Sequence, residues 1–297
     1  MEMYLVLDIG GTFVKYALMD AEANIMEKGK VPTITDNLTA FLDSLEEIFY
    51  RFKNIDGLAL SCPGLIDVDK GIVYHGGALT FLHECNIVEE MSKRCKDVKV
   101  AVENDGKCAG LAEVNIGAAK DVQDAIIIAF GTGVGGAIIK NKKVHRGNRL
   151  IAGEFSFITT SYHRKDLSRD MWGKEGSAIH LSKDLDKVKG KPKGTYSGED
   201  VFSMAASGDE DAIDILEDFY FDIANQIHNL QYIYDPDLFC LGGGISEQPA
   251  LLEGVNRYID KIQDISYQMV KPKVVKCQFQ NDSNLIGALF NYLQIYT

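Results

Sequence analysis

Two glycine-rich turns, each set between apolar runs, constrain the fold of this chain more than any other feature of its sequence. The first turn, residues 10–12, lies between the apolar runs 3–7 and 13–19. The second turn, residues 131–133, follows the apolar run 125–130. Glycine lets the backbone approach an anion closely and point its N–H groups at it. Two strand–turn–strand units of this kind predict a cleft with a phosphate-binding turn on each wall.

The composition excludes several classes of function. The chain has 297 residues, enough for about two domains, and 46% of them are apolar, as in a globular protein. Its formal net charge is −12 and it has no basic cluster, so nucleic acid is not an expected partner. An acidic protein that binds a nucleotide must rely on backbone N–H groups, single lysines and a divalent metal.

The sequence also indicates a cytoplasmic protein that does not enter a membrane. The first residues lack the basic start of a signal peptide, and the longest uncharged stretch, 125–139, is too short to cross a bilayer. The cysteines are scattered without a C-x-x-C pair. Reduced, mostly buried thiols are therefore expected, rather than disulfides or a zinc site.

Strands alternate with helices along the chain, which is typical of an α/β fold. Strands are predicted at 4–8, 13–19, 24–31, 57–61, 99–102 and 238–241, and helices at 38–53, 106–114, 199–207, 209–234, 249–264 and 283–295. The pattern restarts at Ala125, which suggests an internal duplication. The polar stretch 159–198 is interpreted as an excursion from the core.

The glycine turns do not match the common nucleotide-binding signatures. The Walker A sequence G-x-x-x-x-G-K-[ST] is absent. Residues 131–136 match G-x-G-x-x-G, but the match opens a predicted strand instead of a helix and so argues against a Rossmann site. One glycine turn alone would be interpreted as a tight hairpin. A third glycine run, 242–244, also follows a strand, which makes three accidental hairpins a poor explanation.

Six short motifs, taken in order, resemble those of the ROK sugar kinases, which belong to the actin-like ATPase superfamily. They are Asp8-Ile9-Gly10-Gly11-Thr12, Ser61-Cys62-Pro63-Gly64, Glu103-Asn104-Asp105, Gly131-Thr132-Gly133-Val134-Gly135-Gly136, Gly153-Glu154 and Leu241-Gly242-Gly243-Gly244-Ile245. The resemblance covers essentially the whole chain. It implies two actin-like (ribonuclease H-like) α/β domains flanking a cleft for nucleotide and sugar. The expected domains are a small one of residues 1–117 plus 284–297 and a large one of residues 118–283.

The resemblance implies that ATP and Mg²⁺ are the cofactors. The residues expected to bind them are Asp8, Gly10, Gly11, Thr12, Lys15, Gly131, Thr132, Gly133, Gly242, Gly243 and Gly244. The first two glycine turns would hold the phosphates, and residues 242–244 would line the adenosine pocket. Asp8 would act on the Mg²⁺ shell through water, since the metal arrives with ATP. Lys15 either neutralises phosphate charge or is a solvated strand lysine.

Asp105 is the predicted catalytic base, because phosphorylation of a hydroxyl needs a group that accepts its proton. It lies between a strand and a helix, where the helix dipole favours an ionised carboxylate. The alternative is that Asp105 only caps the helix. The resemblance implies a sugar site formed by Pro63, Gly64, Gly77, Ala78, Asn104, Asp105 and Glu154. For Glu154, the alternative is an exposed loop carboxylate.

The chain departs from many family members after Glu154. Those members continue with G-E-x-G-H and C-x-C-G-x-x-G-C-x-E, whose His and cysteines hold a structural zinc. Here Phe157 stands at the His position, and residues 172–177 keep the glycine frame without the cysteines. No structural zinc is therefore expected. His163 and His180 are interpreted as ordinary loop histidines.

The loss of these polar groups predicts a sugar pocket that tolerates a substituent on the anomeric carbon, where an aromatic residue can pack on a second ring. With residues 76–78 upstream, the chain looks like the β-glucoside kinases, which phosphorylate the 6-hydroxyl of the glucosyl unit in cellobiose and related β-glucosides. One alternative is a monosaccharide kinase for glucose or N-acetylmannosamine. Another is a sugar-responsive ROK regulator without catalysis. The resemblance also favours a homodimer.

Overall fold

The computed structural model describes residues 2–163, 168–265 and 270–297. Within these ranges the chain divides into two compact units, which are described separately. The first unit comprises the residues up to Asn115, Arg146–Ala152 and Asn281–Thr297, and the second comprises Ile116–His145 and Gly153–Gln280. The short return of the chain to the first unit at 146–152 carries no signal in the sequence.

The first unit is built on a five-stranded sheet. Its elements are β1 (Tyr4–Ile9), β2 (Phe13–Met19), β3 (Ile25–Pro32), α1 (Leu38–Tyr50), β4 (Gly57–Cys62), β5 (Leu65–Asp67), β6 (Ile72–His75), β7 (Cys85–Asn86), α2 (Ile87–Arg94), β8 (Lys99–Asn104) and α3 (Asp105–Ile116). The sheet order is β3-β2-β1-β4-β8, with β1, β4 and β8 parallel and β2 antiparallel to both of its neighbours. A second, three-stranded sheet joins β5, β6 and β7.

Apolar residues on both faces of the central strands explain why the first sheet is covered on both sides. Every residue of β1 and β4 is buried. Residues of α1 at helical spacing, among them Phe41, Leu45 and Ile48, join the core that contains Leu5 and Leu7. This arrangement is the usual one for parallel strands, whose crossover connections place helices on the faces of the sheet.

The second unit repeats this sheet with different sequence. Its elements are β9 (Ala125–Phe130), β10 (Val134–Lys140), β11 (Lys143–Val144), β12 (Thr159–His163), β13 (Ser168–Met171), α4 (Trp172–Glu175), α5 (Ala178–Val188), α6 (Gly198–Ala206), α7 (Glu210–Tyr234), β14 (Leu238–Gly243), α8 (Pro249–Ile265) and β15 (Val274–Lys276). The sheet order is β11-β10-β9-β14-β15, an antiparallel hairpin beside parallel strands, as in the first unit. The predicted restart at Ala125 is therefore confirmed, and so is the α/β class of both units.

The last helix, α9 (Ser283–Tyr296), belongs to the first unit and packs on β1, β4 and β8. This placement agrees with what the family resemblance implied. Asn291 fixes it locally, because its side-chain amide donates to the carbonyl oxygen of Val102 at 3.2 Å. In the described part of the chain, no helix combines the length and apolar character needed to cross a membrane.

The interpretation of residues 159–198 as an excursion from the core is wrong. This stretch holds α4 and α5, and the core of the second unit includes Trp172, Leu181 and Leu185. The many charged residues of α5, of which Asp186 is itself buried, obscure the apolar spacing of Leu181 and Leu185. The prediction also missed β5, β6, β7 and α2, because short strands and a polar helix carry little periodic signal.

Candidate functional site

Three predicted motifs meet at one edge of the first sheet. The parallel strands β1, β4 and β8 place Asp8 opposite Ser61 and Ser61 opposite Glu103. The carboxyl ends of parallel strands are the usual location of ligand sites in α/β proteins. Register alone therefore brings Asp8, the Pro63-Gly64 loop and Asn104-Asp105 to the same edge.

Asp8 is held in place by neighbours from two other segments. Its side chain is buried, and Oδ1 accepts hydrogen bonds from Ser61 Oγ at 2.9 Å and from Asn284 Nδ2 at 3.1 Å. Lys15 Nζ lies 3.5 Å from Asp8 Oδ2 and also donates to the carbonyl oxygen of Asn281 at 3.4 Å. The charge of a buried carboxylate is thus balanced by hydrogen bonds and a nearby cation. The Lys15 side chain is 41% exposed, so it is paired with Asp8 and also open to solvent.

The turn 10–12 is a tight connection between β1 and β2. The backbone N–H of Gly10 donates to the carbonyl oxygen of Phe13 at 3.0 Å, and Thr33 Oγ1 donates to the carbonyl oxygen of Gly10 at 2.6 Å. A Cβ atom at Gly11 would meet nothing within 4 Å. The backbone of this turn is therefore anchored at Gly10 and open at Gly11.

Asn104, and not Asp105, caps α3. Asn104 Oδ1 accepts from the backbone N–H of Lys107 at 3.1 Å, and Asn104 Nδ2 donates to the carbonyl oxygen of Gly64 at 2.9 Å. Asp105 is the first residue of the helix, and its Oδ1 accepts from the backbone N–H of Gly106 at 2.8 Å. The capping role that was the alternative for Asp105 is therefore filled by its neighbour. An amide has two N–H groups and two oxygen lone pairs, so Asn104 keeps capacity for a ligand.

Glu103, beside this pair, is a completely buried carboxylate. Its Oε2 accepts from Arg146 Nε at 2.9 Å and from a terminal nitrogen of the same guanidinium, while its Oε1 accepts from the backbone N–H of Asn104 at 2.8 Å. Arg146 comes from the segment 146–152 that returns to the first unit. Both nitrogens of the guanidinium fork donate to the same carboxylate oxygen, in charge-assisted hydrogen bonds.

The predicted sugar-binding loops of the first unit contact each other. Gly64 has φ +101°, and a Cβ atom there would lie 1.8 Å from the carbonyl oxygen of His75, so only glycine fits. A Cβ atom at Gly77 would lie 3.6 Å from Pro63 Cβ. Pro63, Gly64, Gly77 and Asn104 therefore form one continuous surface.

Two histidines hold the loop 76–78 in place. His83 Nδ1 accepts from the backbone N–H of Gly76 at 3.0 Å, and His75 Nδ1 accepts from that of Gly77 at 3.1 Å. The two imidazole rings lie against each other, with their centroids 4.3 Å apart. Their spacing in the sequence gave no indication of this role.

In the second unit, the turn 131–133 lies beside the glycine run 242–244. The parallel strands β9 and β14 pair Phe130 with Gly243 at their carboxyl ends. Gly243 has φ +87°, and a Cβ atom there would lie 2.1 Å from the carbonyl oxygen of Phe130. The glycines expected to bind phosphate and those expected to bind adenosine are thus neighbours on one sheet edge.

The segment after Glu154 forms the 3-10 turn Phe155–Phe157. Phe155 is buried against Trp172, whereas Phe157 is 71% exposed. Ser156 Oγ exchanges hydrogen bonds with the backbone of Val134, which directly follows the turn 131–133. Sequence reasoning missed this contact, because an isolated serine carries no pattern.

In the segment that lacks the zinc-binding motif, a buried aromatic side chain is followed by a capped helix. Trp172 is fully buried between Phe130 and Phe155, and Ser177 caps α5. The interpretation of His180 as a loop histidine is wrong, because it lies on α5. Its Nε2 is 3.0 Å from Asp184 Oδ2 and 3.2 Å from Glu175 Oε2. The side chain of His163 lies outside the described residues.

Comparison with known proteins gives a consistent result over the full length of the chain. The sequence profile of the ROK family matches residues 4–294. A β-glucoside kinase of Listeria innocua is 26% identical over 290 residues, covering 97% of this chain and 96% of that protein.

Solved structures show the same fold. A ROK family protein of Streptococcus pneumoniae in complex with sucrose aligns with a TM-score of 0.90 and 29% identity, covering 99% of this chain and 98% of that one. A ROK family glucokinase of Streptomyces griseus in complex with glucose and AMPPNP aligns with a TM-score of 0.80 and 22% identity, covering 97% and 98%. The chain described here belongs to the ROK family.

Proposed function

We propose that the chain is an ATP-dependent kinase that phosphorylates the 6-hydroxyl of a glucosyl unit, with β-glucosides such as cellobiose as its preferred substrates. The observation that carries the proposal is the meeting of strand ends in the first unit, which gathers Asp8, Pro63-Gly64 and Asn104-Asp105 at one sheet edge. Relatives named as β-glucoside kinases support the substrate class. Sucrose, bound to the Streptococcus pneumoniae protein, is also a sugar of two rings.

Asp105 is the proposed catalytic base. It accepts the proton of the sugar hydroxyl as the oxygen bonds to the γ-phosphorus of ATP, and ADP leaves with the electron pair of the broken O–P bond. A positioned carboxylate contributes about 10²–10⁴-fold to such a step. The N-terminal end of α3 favours the ionised form that a base requires.

The sugar is bound mainly by the surface that the first unit presents. Asn104 donates hydrogen bonds to sugar hydroxyls and accepts hydrogen bonds from them. The wall of the sugar pocket is formed by Pro63, Gly64, Gly77 and Ala78. In the second unit, Glu154 accepts from a further hydroxyl. The contacts among Pro63, Gly64, Gly77 and Asn104 support this assignment, because they place the four residues on one surface.

ATP is bound mainly by the backbone groups of glycine-rich turns. In the first unit, Gly10, Gly11 and Thr12 contact phosphate, with Lys15 as the cation. In the second unit, Gly131, Thr132 and Gly133 contact phosphate, and residues 242–244 line the adenosine. Positioning and charge stabilisation, to which such N–H donors contribute, account for most of the catalysis of phosphoryl transfer.

The donor set around Asp8 fits an indirect role toward Mg²⁺. One carboxylate oxygen is bonded to Ser61 and Asn284, and the other lies near Lys15, so both oxygens already have polar partners. Among the described residues, no cluster of three or more His, Cys, Asp or Glu side chains is placed to hold a metal. Mg²⁺ that arrives with ATP would neutralise phosphate charge, and Asp8 would orient its water.

A steady-state assay of ADP release over a panel of sugars tests the function. We expect the highest kcat/KM with cellobiose and aryl β-glucosides, and lower values with glucose, N-acetylglucosamine and N-acetylmannosamine. The product's ³¹P and ¹³C spectra should place the phosphate on the 6-oxygen. A higher kcat/KM with glucose or N-acetylmannosamine would make the chain a monosaccharide kinase. No turnover with any sugar, together with specific binding to an operator DNA, would make it a regulator.

We also propose that the enzyme is a cytoplasmic homodimer. Exposed apolar side chains on α7, namely Phe221 at 44%, Tyr232 at 56% and Ile233 at 79%, support a second copy as the partner. All six cysteines are buried and free, as a reducing compartment permits. Light scattering of the purified chain gives its mass in solution, and a monomer mass would contradict the dimer.

A further inference from the structure

One hydroxyl group in the second unit joins the turn that follows Glu154 to the turn 131–133. The backbone N–H of Val134 donates to Ser156 Oγ at 3.0 Å, and Ser156 Oγ donates to the carbonyl oxygen of Val134 at 3.0 Å. Val134 starts β10 directly after the turn 131–133, and Ser156 lies two residues after Glu154. A single side chain therefore makes both hydrogen bonds between the two turns.

Ser156 fits only because two of its neighbours are glycines. A Cβ atom at Gly133 would lie 2.8 Å from Ser156 Oγ, and a Cβ atom at Gly173 would lie 2.4 Å from Ser156 Cβ. Real Cβ atoms essentially never approach other atoms so closely. The hydroxyl thus occupies a niche formed by one glycine of the turn 131–133 and by one glycine of α4.

An aromatic cluster packs directly before the same two turns. Trp172 is fully buried, and its ring centroid is 6.1 Å from that of Phe155 and 6.4 Å from that of Phe130. Phe155 directly precedes Ser156, and Phe130 directly precedes Gly131. Close-packed rings transmit displacements instead of absorbing them. A shift of either turn therefore acts on the other through the Ser156 hydroxyl and through the aromatic rings.

We propose that Ser156 is a positioning residue that couples sugar binding at Glu154 to phosphate binding at residues 131–133. The inference rests on the proposed function, which assigns the sugar and the phosphate to these turns. A sugar that orders the Glu154 turn also orders the N–H groups of the phosphate turn through Ser156. Each ligand then raises the affinity for the other, and thermodynamic linkage makes the two factors equal.

The experiment compares the wild type with Ser156→Ala, which removes the hydroxyl and adds no atom to the niche. Calorimetric titration gives the Kd of cellobiose with and without AMPPNP, and the Kd of AMPPNP with and without cellobiose. Ser182→Ala is the matched control, because Ser182 Oγ makes a similar bond to the carbonyl oxygen of Ile179 on the exposed side of α5. The emission of Trp172, the only tryptophan of the chain, reports whether the core is intact.

We expect each ligand to tighten the other by about 5-fold or more in the wild type and in Ser182→Ala. In Ser156→Ala, each ligand alone should bind within about threefold of wild type, while the coupling factor falls toward 1. Unchanged coupling in Ser156→Ala would overturn the proposal. Loss of both separate affinities would also overturn it, since Ser156 would then be merely structural. A wild type that binds neither ligand would instead contradict the proposed function.

Discussion

Two guanidinium nitrogens of Arg146 form an ion pair with Oε2 of Glu103, the fully buried carboxylate that directly precedes Asn104 and Asp105. The same guanidinium lies 3.4 Å from Asn291 Oδ1, and Asn291 donates to the carbonyl oxygen of Val102. The strand that ends at Asn104 is thus fastened to α9 and to the segment 146–152. The polar partners of Glu103 therefore fix the position of Asp105.

We expect Arg146→Met to destabilise the protein by about 3 kcal/mol or more, because removing one partner leaves a buried charge uncompensated. Urea unfolding gives the free energy of unfolding. Arg94→Met is the matched control, since Arg94 pairs with Asp43 and Glu46 at the surface. Each of these two surface ion pairs should contribute at most about 1 kcal/mol to the free energy of unfolding. An equal effect of the two substitutions would contradict the structural role of Arg146.

Asp105→Asn should lower kcat by about 10²–10⁴-fold, because the amide cannot accept the proton of the sugar hydroxyl. The Kd of cellobiose and the melting temperature should stay near those of the wild type, since Asn104 performs the capping. Asp209→Asn is the control for a capping effect, because Asp209 Oδ1 accepts from Ala212 N at the start of α7. Near-normal turnover of Asp105→Asn would remove Asp105 from its role.

Phe157→Ala should raise the KM for cellobiose about tenfold while leaving the KM for glucose unchanged, since an exposed ring gains its energy from covering a second sugar ring. Val188→Ala removes another exposed apolar side chain of the second unit and should change neither value. Equal effects on cellobiose and glucose would show that Phe157 does not contact the aglycone. Initial rates over a range of both sugars decide between these results.

His83→Phe should raise the KM for sugar without a matching change in kcat, because the loop 76–78 loses the acceptor for the N–H of Gly76. His83→Asn keeps an acceptor in a side chain of smaller size and should restore part of the affinity. The KM values of the two variants, measured side by side, give the test. Identical values would show that the imidazole acts through packing alone.

The stability contributed by His180 should depend on pH. The hydrogen bond with Asp184 raises the pKa of His180 in the folded state, against the opposing effect of burial. Because the folded-state pKa is raised, protonation of His180 stabilises the folded protein. This contribution is complete below the unfolded-state pKa of about 6.5 and is lost as the pH rises through the folded-state pKa. The melting temperature of the wild type should therefore be higher than that of His180→Gln. This difference should be larger near pH 5.5 than near pH 8.5. Melting curves at both pH values measure the difference, and a constant gap would contradict the prediction.

Much of the fold follows from local pattern. Two kinds of signal can be recognised in a single sequence. Glycines mark the turns at Gly10 and Gly131, and apolar periodicity marks the long helices α1 and α7. The contacts that complete the site are of a different kind. Arg146, Asn284 and Ser156 lie far along the chain from Glu103, Asp8 and Val134, and each contact depends on tertiary packing. No local composition or spacing marks such residues.

The first unit is discontinuous in sequence, and this has a consequence for the order in which it can fold. Two of its buried carboxylates, Asp8 and Glu103, lie within the first 115 residues. One partner of each, Asn284 for Asp8 and Arg146 for Glu103, is synthesised later. A nascent chain of 115 residues therefore carries both carboxylates without these two partners. The first unit cannot reach its final packing on the ribosome until the helix that contains Asn284 has been made.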